Sequence, residues 1–127
     1  MIAKNNPLNI RYNENTNWLG QIGRNKGFVE FDSMEHGFRA ALWLIKRTYM
    51  HRYGLNTIRE VISRFAPNNE NDTYGYIQII SNAMDMSASS FLCDYDVPFL
   101  VSHMAKVETD TFVYPHELTS IINKYKI

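Results

Sequence analysis

The chain has 127 residues, 45% of them hydrophobic and 20% charged, which suits one domain with its own core and is too short for two. Thirteen basic residues balance thirteen acidic ones, so a partner held mainly by long-range charge, such as nucleic acid or an anionic membrane, is not expected. No run approaches the roughly 18 apolar residues that span a bilayer, and the N-terminus turns polar too early for a secretory signal. A soluble domain covering residues 1–127 is the expectation.

Residues 1–31 lack a helical period and read as loop with short strands at Leu8–Tyr12 and Gly27–Phe31. Gly20, Gly23 and Gly27 read as turn chemistry. From Asp32 the pattern changes. Asp32 and Glu35 have capping-box spacing, and Phe38, Ala41, Leu42, Ile45 and Tyr49 recur at helical intervals as far as Gly54. A short helix is predicted from Thr57 to Phe65, capped by Asn56 and stopped by Pro67. The polar turn 68–72 caps a third helix that buries Tyr76, Ile77, Ile80 and Met84. Residues 86–94 have no period. Asp96 and Pro98 then open a helix that carries Leu100, Met104 and Val107 inward and ends near Glu108. A last helix opens at Pro115, with Leu118, Ile121, Ile122 and Tyr125 inward. The expected architecture is mainly α (α+β): about five helices behind a small N-terminal strand-and-loop lobe.

Cys93, the sole cysteine, reads as a buried thiol, and His36, His51, His103 and His116 show no metal-ligand spacing. No phosphate-binding glycine loop occurs, and no cofactor is implied. The aromatic residues are plentiful, and most are placed on core stripes. Seven of the thirteen Asn lie within the first 26 residues. Amides and rings together suit a carbohydrate, whose hydroxyls need hydrogen-bonding partners and whose faces pack on rings.

Three glutamates carry the candidate chemistry. Glu35 reads first as a helix-capping carboxylate. Glu70 sits in the Asn-rich turn, where it binds backbone amides or a nearby Arg such as Arg64, or takes part in catalysis. Glu108 ends a helix that is apolar on its inward side. The helix dipole and partial burial would both favour its neutral acid form, the form a glycosidase needs to protonate a leaving sugar oxygen. The alternative is a solvated Glu at a helix end.

Asn5-Asn6-Pro7-Leu8-Asn9-Ile10-Arg11, Trp18-Leu19-Gly20, Phe28-Val29-Glu30-Phe31-Asp32-Ser33, Glu35 through Ala40, Tyr53 through Ile58, Arg64-Phe65-Ala66-Pro67 and the late Val107-Glu108 form one ordered series. This series resembles a family of small phage virion proteins that includes structural proteins and lysozyme-like hydrolases. It is also similar, in permuted order, to bacterial glucosaminidases and lytic transglycosylases of the lysozyme superfamily. The resemblance implies a circularly permuted lysozyme-like domain with Glu108 docked beside the Asn5–Arg11 loop, a permutation that is cheap when chain ends lie close together. It implies cleavage of peptidoglycan, with Glu108 as general acid and Glu70 or Asp72 as a possible activator of water. Without either of these, the chemistry would be substrate-assisted or of transglycosylase type. Asn6, Asn9, Arg11, Tyr12 and Trp18 would hold the sugar. Implied surroundings are a phage particle with other virion proteins, or the bacterial cytoplasm before release. The sequence departs from the pattern at Leu8, where the family has Gly, at Phe65 in place of Trp, and at Thr109-Asp110 in place of Asn-Gly. A non-enzymatic virion protein on the same scaffold is the rival expectation.

Overall fold

The computed structural model describes residues 3–69 and 71–127. A two-stranded antiparallel sheet, β1 (Gln21–Asn25) and β2 (Phe28–Phe31), precedes five α-helices: α1 (Met34–Leu42), α2 (Ile58–Phe65), α3 (Thr73–Met84), α4 (Val97–Thr109) and α5 (Pro115–Tyr125). The molecule is mainly α with a small N-terminal strand lobe, as the sequence predicts.

The lobe differs in detail. Lys26 and Gly27 join the strands with φ of 52° and 86°, the two positive values that a tight hairpin turn of type I′ requires. The first strand is Gln21–Asn25 rather than Leu8–Tyr12, which meets the sheet only through an Arg11–Phe28 bridge. Positive φ at Asn5 and Asn9 breaks any extended run there. β1 is largely polar and carries an irregularity between Gln21 and Gly23, so it offered no apolar alternation to read.

Two helix starts move by one residue. Ser33 rather than Asp32 caps α1 by accepting from the His36 amide at 3.1 Å, and Thr57 rather than Asn56 caps α2 by accepting from the Glu60 amide at 3.1 Å. Each hydroxyl reaches the third residue onward, the N-cap geometry, and such caps contribute about 1 kcal/mol. Beyond Leu42 the chain does not continue as α-helix. Residues Trp43–Arg52 wind as a π-helix, ending where the Tyr53 amide reaches the Thr48 carbonyl five residues back at 3.0 Å.

One contiguous core joins the lobe to the helices, with Leu8, Phe31, Leu42, Ile45, Ile62, Leu100 and Leu118 among its fully buried members. α1 packs against α5, α3 against α4, and α4 against α5, so α4 lies at the centre. Three expectations are corrected. Cys93 is exposed, on the entry to a 3-10 turn at Asp94–Asp96. Val107 faces outward. Of the aromatic residues only Phe31, Phe38 and Tyr76 are buried, while seven, from Tyr53 to Tyr114, are exposed. A 3.6-residue stripe identifies which residues share a face, but it does not say whether another element covers that face.

Candidate functional site

The N-terminal loop is built to hold Asn9 against the end of α4. Asn6 is 3% exposed and spends its whole amide on the backbone. Its Nδ2 donates to the carbonyls of Ile10 at 2.9 Å and Val29 at 2.8 Å, and its Oδ1 accepts from the Ile10 amide at 2.9 Å. The expectation that Asn6 contacts sugar is therefore corrected, because its polar atoms are already satisfied inside the protein and it fixes the loop. Gly37 lets α1 approach closely, since a Cβ there would lie 1.9 Å from the Asn5 carbonyl oxygen.

Asn9 has φ of 52° and projects from this loop. Its Nδ2 donates to both the Glu108 side chain (Oε1) and the Glu108 backbone carbonyl, each at 3.1 Å. The helix end is closed by Thr109 and Asp110. The Thr109 hydroxyl donates to the Pro7 carbonyl at 2.9 Å, and Asp110 takes a left-handed conformation (φ 55°), the usual way to stop a helix. Thr109 thus ties α4 to the N-terminal loop, while Asp110 ends the helix and pairs with Lys106.

Tyr76 of α3 completes the cluster. Its hydroxyl is buried with no hydrogen bond of good geometry, and its pKa is pushed well up, first by burial and then by the negative charge of nearby Glu108. Asn9 Oδ1 is likewise buried and unpartnered. Two orphaned polar atoms beside one half-buried carboxylate are unusual, because protein interiors satisfy nearly all such groups.

Glu108 and Asn9 open onto a groove of about 630 Å³ walled by Arg11, Trp18, Phe28, Phe65 and Asn71. It continues into a second concavity of about 920 Å³, the two sharing Asn13, Thr16, Trp18, Leu44, Tyr49 and Arg64. The far wall is the π-helix. Trp43, Thr48 and Tyr53 recur at intervals of five, as do Leu44 and Tyr49, and all five line the cleft. The i to i+5 geometry stacks such positions on one face, whereas 3.6 residues per turn would spread them around the helix. A 3.6-residue period does not bring these positions to one face, so the sequence pattern leaves this wall unmarked. Of the five positions only Trp43, Tyr49 and Tyr53 carry rings, six and four residues apart, so no single sequence period marks the wall.

Arg11 and Trp18 line the groove. Tyr12 is half-buried outside it, under the Arg24 guanidinium at 4.4 Å. Asp72 is exposed and caps α3, accepting from the Gly75 amide at 3.0 Å. Glu70 lies outside the described residues. Glu35 does not cap α1 but receives hydrogen bonds from Tyr125 and, at 2.9 Å, from Lys124, pinning α1 to α5. Among the described residues no three His, Cys, Asp or Glu side chains gather as metal ligands, and no helix is long and apolar enough to cross a membrane.

The chain belongs to a phage protein family. The relative that shows this is Protein P5 of Pseudoalteromonas phage PM2, 33% identical over 120 residues that make up 91% of this chain and 74% of the relative. No family model matches the sequence.

Proposed function

We propose that the protein cleaves peptidoglycan glycan strands as a lysozyme-like enzyme of lytic-transglycosylase type, with Glu108 as its acid and base. The observation that carries this reading is the double hydrogen bond from Asn9 to Glu108, which fixes a half-buried carboxyl at the edge of an elongated groove. Glu108 protonates the glycosidic oxygen as the bond to the anomeric carbon breaks. The same carboxylate then takes the proton of the sugar's 6-hydroxyl as that oxygen closes on the anomeric carbon. This route needs one carboxylate, and Glu108 is the sole Asp or Glu among the described residues lining the groove. Arg11 and Asn71 offer hydrogen-bond donors to the sugar, and Trp18 offers a ring face.

The test is loss of turbidity of purified cell walls with the wild type and Glu108→Gln, with chromatography of the released fragments. Anhydro-sugar ends from the wild type and none from the variant support the reading. Equal activity in both removes Glu108 from the mechanism. A second reading, a non-enzymatic phage structural protein, is favoured by membership of a phage protein family, and it predicts no release of fragments by either form.

A further inference from the structure

The two arms of the cleft differ in charge. The arm beside Glu108 sets that carboxylate among Arg11 and the shared Arg64, whereas the arm against the π-helix adds Arg39 and Arg52 to Arg64 and, among the described residues, is lined by no Asp or Glu. In a chain of zero net charge this is a local segregation, not a consequence of composition. None of the three arginines forms an ion pair among the described residues. Two are held instead by rings, Arg64 over Tyr53 at 4.7 Å and Arg39 over Trp43 at 5.3 Å and Tyr125 at 5.7 Å. Stacking on rings orients a guanidinium while leaving its donors unspent. Arg39 adds an independent sign, because its Nε is buried and lacks any hydrogen-bond partner. A buried charged donor without an acceptor is costly, and an arriving anion removes that cost.

We infer that this distal arm is a subsite for a carboxylate carried by the glycan away from the bond that is cut. The inference deepens the reading of Glu108 as a glycan-cleaving acid and rests on it. The planar fork of Arg matches the two oxygens of a carboxylate, and the rings of Trp18, Trp43 and Tyr53 leave sugar faces to pack beside it. The enzyme would then prefer acidic glycans over neutral ones of equal length, with one arm selecting the chain and the other cutting it.

The experiment is calorimetric binding to Glu108→Gln, so that no probe is consumed. Probes are a tetrasaccharide of alternating N-acetylglucosamine and N-acetylmuramic acid, the same with its lactyl carboxylates methyl-esterified, and the same bearing peptide stems. The free acid should bind about tenfold more tightly than its ester at low salt, as expected for one charge-assisted pair. Adding Arg39→Gln and Arg52→Gln should shrink that ratio to roughly threefold or less, while Arg59→Gln, outside the cleft, leaves it intact. Stronger binding of the stem-bearing probe alone assigns the carboxylate to the peptide; stronger binding of the bare acid assigns it to the lactyl group. Equal affinity for all three probes, or a preference unmoved by the arginine substitutions, overturns the subsite. Wall cleavage by the wild type is scored separately, so failure of the Glu108 reading shows as absent fragments whatever the binding ratio.

Discussion

Asn9 holds Glu108 by two atoms at once, the side-chain Oε1 and the backbone carbonyl, both at 3.1 Å and across 99 positions of sequence. One amide nitrogen therefore fixes both the carboxyl and the end of the helix that carries it. Because Asn9 also has φ of 52°, its two contributions can be separated. Asn9→Gly keeps the backbone and loses the clamp; Asn9→Ala loses the clamp and strains the backbone. Both should lower wall cleavage, and Ala should be less stable than Gly by about 1 kcal/mol, read from urea unfolding. Equal stabilities would refute a strained Asn9.

Tyr76 links the site to alkaline stability. Its folded-state value lies above the ordinary 10.0, from burial and then Glu108, so the folded protein holds that proton more tightly than the unfolded chain. The contribution is complete below pH 10.0 and is lost as pH climbs above it. Tyr49 and Tyr125 are raised too and act in the same direction. Tyr76→Phe should flatten the fall in melting temperature above that pH, and Glu108→Gln should not steepen it. An unchanged alkaline slope in Tyr76→Phe contradicts this account.

Acid stability depends on the α1–α5 junction. The hydrogen bond from Tyr125, with help from Lys124, holds the Glu35 carboxyl below its usual 4.5. The stabilisation is present above 4.5 and disappears as pH falls through the lower folded value. Glu35→Gln should therefore cost stability at neutral pH and match the wild type in strong acid. A pH-independent difference between the two melting curves would place the effect elsewhere.

Gly37 offers a structural control on the site. The Cβ of Gly37→Ala would meet the Asn5 carbonyl at 1.9 Å and Pro7 Cδ at 2.9 Å, so the loop that carries Asn9 must move. We expect a loss of about 3 kcal/mol in chemical unfolding, typical of overpacking against backbone. Any residual folded protein should show reduced cleavage. Full stability would mean that the close approach is relieved at no cost.

Much of this fold was legible in the order of residues. Helix starts at Asp96 and Pro115, the α2 start to within one residue, the stop at Pro67 and the end of α4 near Glu108 follow from caps, proline and period, which act over a few neighbouring residues. The mainly α class, the helix count and the candidacy of Glu108 are local properties, written in the order of residues. What stands beside Glu108 depends on how distant segments pack. Asn9 meets Glu108, the buried Tyr76 brings its hydroxyl beside that carboxylate, Glu35 abandons a cap for α5, and the π-helix turns Trp43, Thr48 and Tyr53 to one wall. Those outcomes depend on contacts between distant segments and on a winding that a 3.6-residue period does not describe, so no local pattern carries them. The zero net charge likewise hides an arm of the cleft with three arginines and no described carboxylate, because a sum over the chain loses where each charge sits.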